Sequence, residues 1–260
     1  FIVADPDGAI VLETAGRRWA TEQVTGRGRS ISNGLTIPDF ASMHANPAIG
    51  VVTACARRRA RTETAANHAT APADLMVALR DHGPTAGPHY SPVRGGLGAP
   101  CAHAGGLVSG NQTTASWVAD LRRPADHLHW VTATSAPCTS VFKPVRVDEP
   151  LDVDPSAMPG NGYDASYRWW RHEHLHRMVL RDHPASLARF TAERDRLEAA
   201  WLAAPPPGVE AFTIADAAEE RWLADLHTAG LPDRRPAWLR AQSRRTDRAA
   251  RMPSPAGVAA

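Results

Sequence analysis

The tightest constraint on the fold comes from the stretch Phe1 to Val24. Two apolar, largely β-branched runs, Phe1-Ile2-Val3-Ala4 and Ala9-Ile10-Val11-Leu12, flank Asp5-Pro6-Asp7-Gly8, in which Pro6 presets φ and Gly8 is expected to take φ > 0. A third, alternating run follows Gly16. Three short strands joined by tight turns read as a β-meander. Its first strand begins at Phe1 with no lead-in, so one edge must be covered or left open to pair with another chain. The chain therefore reads as a fragment.

At 260 residues with 43% hydrophobic content, the sequence can bury a core as one large domain or two smaller ones. A net charge of +2 gives no global pull toward nucleic acid or an anionic membrane. Lys143 is the only lysine among the basic residues, a bias of the kind GC-rich coding produces. No apolar run reaches the roughly 18 to 20 residues that span a bilayer. Cys55, Cys101 and Cys138 form neither an even framework nor a C-x-x-C pair. Such usage suits a reducing compartment, and the cytoplasm is the expected location.

Arg29 to Ile37 alternates like a strand that stops at Asn33-Gly34, a pair suited to a tight turn. Asn33 is then either a turn residue or a polar amide presented at a strand end, able to donate and accept. Cys55 to Arg61 is arginine-rich without interleaved aromatics, so it reads as a solvated helical face rather than a nucleic-acid patch. Asp74 is expected to cap a short helix over Leu75 to Arg80 that Gly83-Pro84 ends. Gly83 to Gly110 is too rich in Gly and Pro, and too long, for a passive connection. Within it, Cys101 and His103 sit at i and i+2, where side chains of an extended chain share a face and could meet as a thiol–imidazole pair.

Thr113 to Leu121 and His127 to Thr134 read as an antiparallel hairpin closed by Arg122 to Asp126. Ser135 to Ser140 forms a corner of small residues that either lines a pocket or permits close packing, before a strand from Val141 to Val147. Tyr163, Tyr167, Trp170, His174 and Met178 make a helical stripe that Asp182-His183-Pro184 interrupts. A second helix runs to Trp201, Pro205-Pro206-Pro207 ends it, and a last one starts at Thr213 and stops at Gly230. Beyond Leu231 the periodicity fades, and a disordered tail is expected.

Taken in order, Phe1-Ile-Val-Ala-Asp with Val11-Leu-Glu-Thr-Ala-Gly-Arg-Arg-Trp19, Ser30-Ile-Ser-Asn-Gly-Leu-Thr-Ile37, Thr113-Thr-Ala-Ser116, Cys138-Thr-Ser-Val-Phe-Lys-Pro144 and Trp169-Trp-Arg-His-Glu173 resemble the secernins. These are a branch of a dipeptidase family of N-terminal-nucleophile cysteine hydrolases. The resemblance spans most of Phe1 to Trp201. It implies an α+β fold, a portion of a four-layer αββα sandwich, placed over residues 1–150; by the pattern of the residues themselves a linker at 151–162, a helical segment at 163–230 and the disordered tail at 231–260 follow. It also implies peptide-bond hydrolysis by a Cys at the mature N-terminus whose own α-amino group acts as base. That nucleophile is absent here, so the chain alone would be silent. By the same resemblance, Asn33 matches the residue that supports the nucleophile's amine and the oxyanion. His103 and Thr114 are carried as substrate-binding candidates. The expected partner is a small peptide or amide, with no cofactor, nucleic acid or membrane; a homo-oligomer is compatible.

One rival stands beside this. His172-Glu173-His174-Leu175-His176 is an H-E-x-x-H, the helical pattern in which two His bind zinc on one face and the Glu activates water. Arg171 and Arg177 flank it and would oppose a dication. A third ligand would have to come from His183, Glu193 or Glu198. A non-catalytic binding module of the same fold is the remaining alternative.

Overall fold

The structure, a computed structural model, describes residues 1–26, 28–93, 95–107, 110–122, 127–151 and 159–253. β1 (Ile2–Asp5), β2 (Gly8–Ala15) and β3 (Arg18–Gln23) form the expected antiparallel meander, with Ile2 opposite Val11 and Thr14 opposite Trp19. The turn chemistry differs from the expectation. Gly8 does not take positive φ; instead Asp5 Oδ1 accepts from the backbone N–H of Asp7 and of Gly8, both at 2.9 Å. That Asx-type bonding closes the first turn, and Gly16, at φ +61°, opens the second.

Arg29 to Ile37 is an irregular loop, not a strand. Among the described residues no strand pairs with it, and an extended segment without a ladder partner must satisfy its backbone elsewhere. α1 (Pro38–His44), α2 (Pro47–Thr53), α3 (Cys55–His68) and α4 (Pro72–Leu79) follow. α4 starts earlier than expected, because Pro72 sits in its first turn and the Asp74 carboxylate reaches back to the N–H of Thr70 and Ala71, at 2.8 and 3.0 Å. Asp74 thus acts from inside the helix rather than as its cap.

The second sheet holds β4 (Trp117–Asp120), β5 (Leu128–Val131) and β6 (Lys143–Val145), antiparallel and in that order. Pro144 lies opposite Trp130 on the edge strand, where a missing N–H costs little. Residues 123–126 of the expected turn and 152–158 of the expected linker fall outside the described residues. α5 (Arg168–Val179) leads through a 3-10 turn, Leu180–Asp182, into α6 (His183–Leu187), then α7 (Thr191–Ala203) and α8 (Gly208–Ala229). Gly230, at φ +56°, ends α8 in the left-handed conformation.

The expectation of a disordered tail is corrected by α9 (Ala237–Ala249). Only Leu239 of this helix is buried, and its sequence is predominantly polar. Polar contacts hold it instead: Gln242 Nε2 donates to Gly106 O at 2.7 Å and Asp247 pairs with Arg177 at 2.5 Å.

The core lies between the second sheet and α5, α7 and α8, around Trp130, Phe142, Leu175, Phe190, Trp201 and Trp222. Phe190 and Trp222 stack with ring centroids 4.6 Å apart. The class is α+β, with the described strands in two separate three-stranded sheets. No helix among the described residues is long and apolar enough to cross a membrane.

Because Phe190 is almost wholly enclosed and stacked, Phe190→Ala is expected to cost about 3 to 5 kcal/mol. The exposed Val51→Ala should stay within about 0.5 kcal/mol. Urea midpoints at constant m-value check both.

Candidate functional site

Two places in the molecule gather chemistry, one exposed and one buried. The exposed one is the loop carrying Asn33. Glu13, on the inward face of β2 beside Val11, accepts from Thr36 N at 2.7 Å, Thr36 Oγ1 at 2.6 Å and Ile37 N at 3.0 Å. Burial pushes its pKa up, but those bonds and the nearby Arg29 outweigh it and hold the carboxyl below its usual range. Arg29 completes the anchor, donating to Glu22 at 2.7 Å and to Ser30 O at 2.8 Å. At the other end, Gly34 lies so close to Cys55 that a Cβ there would meet Sγ at 2.9 Å. Only glycine sits there without a shift.

Asn33 is exposed, and its Oδ1 accepts a short hydrogen bond from Arg58 Nη2, which also donates to Ser32 Oγ at 2.9 Å. A guanidinium has only donors, so this contact fixes which end of the amide is which. Among the described residues nothing accepts from Nδ2.

The buried place starts from α5. Eight of its 12 residues are buried, His172, Glu173, His174 and His176 among them. Each polar group must therefore find a partner inside. Glu173 takes hydrogen bonds from Ser135 Oγ at 2.5 Å, Arg177 Nε at 2.7 Å and Gln112 Nε2 at 3.0 Å, with His176 Nδ1 at 3.2 Å. Burial raises its pKa, but His176, Arg177 and Ser135 prevail and keep it far below the ordinary carboxylate range. His172 Nε2 meets Ser140 Oγ at 3.0 Å and Thr139 Oγ1 at 3.2 Å, while Nδ1 lies 2.8 Å from Glu219 without hydrogen-bond geometry.

The two histidines of H-E-x-x-H thus share a helix face but serve different neighbours, and Glu173 is fully engaged. This sealed arrangement has no open position for the water a catalytic zinc needs. The proposed third ligands are also committed: Glu198 binds Arg80 at 2.5 Å and Phe142 N at 2.8 Å, and Glu193 binds Trp222 Nε1 at 2.7 Å. His183 belongs elsewhere.

From His176 the network continues inward. Its Nε2 lies 3.0 Å from His103 Nδ1, and His103 Nε2 lies 3.0 Å from His82 Nε2 and 3.5 Å from both Cys101 Sγ and Cys138 Sγ. Cys138 Sγ is in turn 3.6 Å from His183 Nε2. Cys101 and His103 do meet, as their spacing suggested, but His103 is 0% exposed and Cys101 2%. Thr114 is exposed, so the structure does not bring the two substrate-binding candidates together. Its neighbour Thr113 does the local stitching, through Oγ1 to Pro100 O at 3.0 Å and its N–H to Ala102 O at 2.9 Å.

Burial opposes the Cys101 thiolate, yet hydrogen bonds from Cys138, His103 and His82 bring its pKa well below the usual thiol value. Burial and that neighbouring sulfur push Cys138 up. Burial, with His103 and His82 nearby, depresses His183 to about 3, so it stays neutral.

His82, Cys138 and His183 were not singled out together by the sequence reading. They lie 56 and 45 residues apart, and no local spacing announces them; the weak local signal was Cys101-x-His103 alone. A scan against models of known protein families finds no match to the chain, and no solved structure matches it.

His174 supplies a pH test away from both places. It is 7% exposed, packs edge-on to Tyr163 and His227, and has a buried Nε2 with no hydrogen-bond partner among the described residues. Burial, then His227 and Arg177, lower its pKa from 6.5 to about 4. The unfolded chain binds the extra proton first, so this contribution to stability is present above pH 6.5 and is lost as pH falls toward 4. The loss between pH 7 and pH 4.5 should be about 2 kcal/mol. His174→Phe should remove that part of the pH dependence, as read from urea midpoints at the two pH values.

Proposed function

We propose that the chain is a portion of a cysteine-type amide-bond hydrolase of the N-terminal-nucleophile kind, similar to the secernin dipeptidases and built on their four-layer αββα plan. Asn33 is its contribution to the reacting centre, and the nucleophilic Cys comes from sequence outside these residues. The observation that carries this reading is the fixed polarity of Asn33. Arg58 holds Oδ1, which leaves two N–H donors of an exposed amide facing outward on a loop anchored by Glu13. A donor held in advance, where negative charge develops on a carbonyl oxygen, is what amide hydrolysis requires.

The chemistry that follows is thiol acylation. The α-amino group of the processed Cys takes the thiol proton, the thiolate adds to the scissile carbonyl, and Asn33 Nδ2 donates to the oxyanion. The leaving amine departs with a proton, and water then hydrolyses the thioester. A small peptide or amide is the substrate class. The rival zinc hydrolase is not favoured, because His172, Glu173 and His176 are buried and each is bonded to other protein groups.

The test is to read the coding sequence upstream of Phe1 and determine the first residue of the native protein by mass spectrometry. A processed Cys is expected there. In that full-length protein, Asn33→Ala should lower kcat for dipeptide hydrolysis about 10²- to 10³-fold with the circular dichroism unchanged. A native chain without such a Cys, or an Asn33→Ala variant with unchanged kcat, would sink the hydrolase reading and leave a binding module.

A further inference from the structure

The geometry points to a tetrahedral site for a zinc-class divalent cation formed by His82, His103, Cys138 and His183, buried and closed to substrate. This is independent of the hydrolase reading and takes neither histidine of the H-E-x-x-H as a ligand.

The first argument is a count of hydrogen-bonding capacity. A ring nitrogen has either one lone pair or one hydrogen in the ring plane. His103 Nε2 nevertheless has three groups converging on it: His82 Nε2 at 3.0 Å and the sulfurs of Cys101 and Cys138 at 3.5 Å. One proton cannot serve all of these contacts, whereas a cation bound by His82, His103 and Cys138 would replace two of them and leave Cys101 outside its ligand set. The same cation would take the place of the thiol–imidazole contact between Cys138 Sγ and His183 Nε2, which lie 3.6 Å apart.

The second argument is metric. With zinc–nitrogen bonds of about 2.05 Å and a zinc–sulfur bond of about 2.3 Å, a tetrahedron has sulfur–nitrogen edges of about 3.6 Å and nitrogen–nitrogen edges of about 3.3 Å. The structure has sulfur–nitrogen separations of 3.5 and 3.6 Å and a nitrogen–nitrogen separation of 3.0 Å. All the donor atoms lie within 4.8 Å of one another, so small side-chain rotations close the longest edge. Imidazole and thiolate together suit zinc rather than magnesium or calcium.

The third argument is what surrounds the donors. A metal-binding imidazole usually gives its other N–H to an acceptor that fixes its tautomer, such as a carboxylate, a backbone carbonyl or water. His103 Nδ1 lies 3.0 Å from His176 Nε2, and His176 Nδ1 lies 3.2 Å from the ionised Glu173. With protons on His103 Nδ1 and His176 Nδ1, the relay leaves His103 Nε2 as a bare lone pair. The backbone is fitted as closely: a Cβ at Gly96 would meet His103 O at 2.8 Å, and one at Gly87 would meet His183 Nδ1 at 2.9 Å. His82 is the least enclosed of the four residues. Four protein ligands leave no open position, so the site is structural; it clamps the Gly/Pro-rich segment to the corner at Cys138 and to α6.

The experiment uses the whole chain and the metal alone. Purified protein should carry one zinc per chain by elemental analysis. Stripped protein refilled with Co²⁺ should show tetrahedral ligand-field bands and a thiolate charge-transfer band. Zinc should raise the melting temperature of the stripped protein. Cys138→Ala and His82→Ala should lose the ion, whereas His172→Ala and Cys101→Ala should keep it. Glu173→Gln should bind it 10- to 100-fold more weakly. Should a ligand variant fail to fold, the wild-type Co²⁺ spectrum and the zinc-dependent melting shift decide alone. A folded wild-type chain with no zinc, no Co²⁺ bands and no melting shift would overturn the site. Loss of the ion in His172→Ala with retention in His82→Ala would overturn this ligand set.

Discussion

A carboxylate taken out of water must be surrounded by donors, and Glu173 at 1% exposure sets what the interior around α5 can be. Four side chains from three segments supply its partners: Gln112 before the second sheet, Ser135 in the corner after β5, and Arg177 and His176 one turn along its own helix. Removing any one of them would leave part of a buried charge uncompensated. The cost would exceed the worth of the single bond lost. Glu173 therefore fixes the rotation of α5, and with it the direction of His176. His103 takes its orientation from that imidazole, and the two cysteines and His82 are arranged around His103.

The corner at Ser135 to Phe142 is held by a second set of charges from the opposite side. Arg80 donates to Pro137 O at 2.8 Å and to Ser140 O at 3.1 Å while it pairs with Glu198, which accepts from Phe142 N. Arg194 donates to Cys138 O at 2.5 Å. Buried ion pairs of this kind add little net stability over apolar packing, but they permit few alternative arrangements. The return from β5 to β6 has almost no regular structure between Thr132 and Phe142, yet it is almost entirely buried, with Arg80 just past α4 and Arg194 of α7 satisfying the carbonyls of Pro137, Cys138 and Ser140.

How much of this was legible in the sequence follows from the range of the interactions. The meander was readable because Asp5, Pro6 and Gly16 act within a few residues, though Asp5 rather than Gly8 proved to close the first turn. The second sheet and the interrupted helix at Asp182-His183-Pro184 were readable for the same reason. The segment at Ser30 to Ile37 was misread as a strand because its alternation is real but its partner is the single carboxylate of Glu13, about twenty residues away, which no pattern marks. α9 was missed because arginines and other polar residues dominate it, and contacts with Arg177, Gly106 and the chain near Tyr163 help to hold it. H-E-x-x-H misled in the opposite sense. Its spacing does put two imidazoles on one face, but motif spacing says nothing about what already occupies that face, and here it is Ser140 and His103.

The exposed amide and the buried cluster are joined by one side chain. Arg58, from α3, donates to Thr53 O, to Leu97 O, to Ser32 Oγ and to Asn33 Oδ1. Leu97 lies four residues before Cys101, in the segment whose path is set by Gly96 packing on the backbone of His103. A guanidinium is planar, and its donors have fixed relative directions, so moving one acceptor reorients the others. The position of Leu97 O therefore helps to set the orientation of Asn33. Anything that tightens the cluster around His103 also tightens the loop that presents the amide. The buried polar interior and the exposed donor are consequently one mechanical unit, with Arg58 as the link.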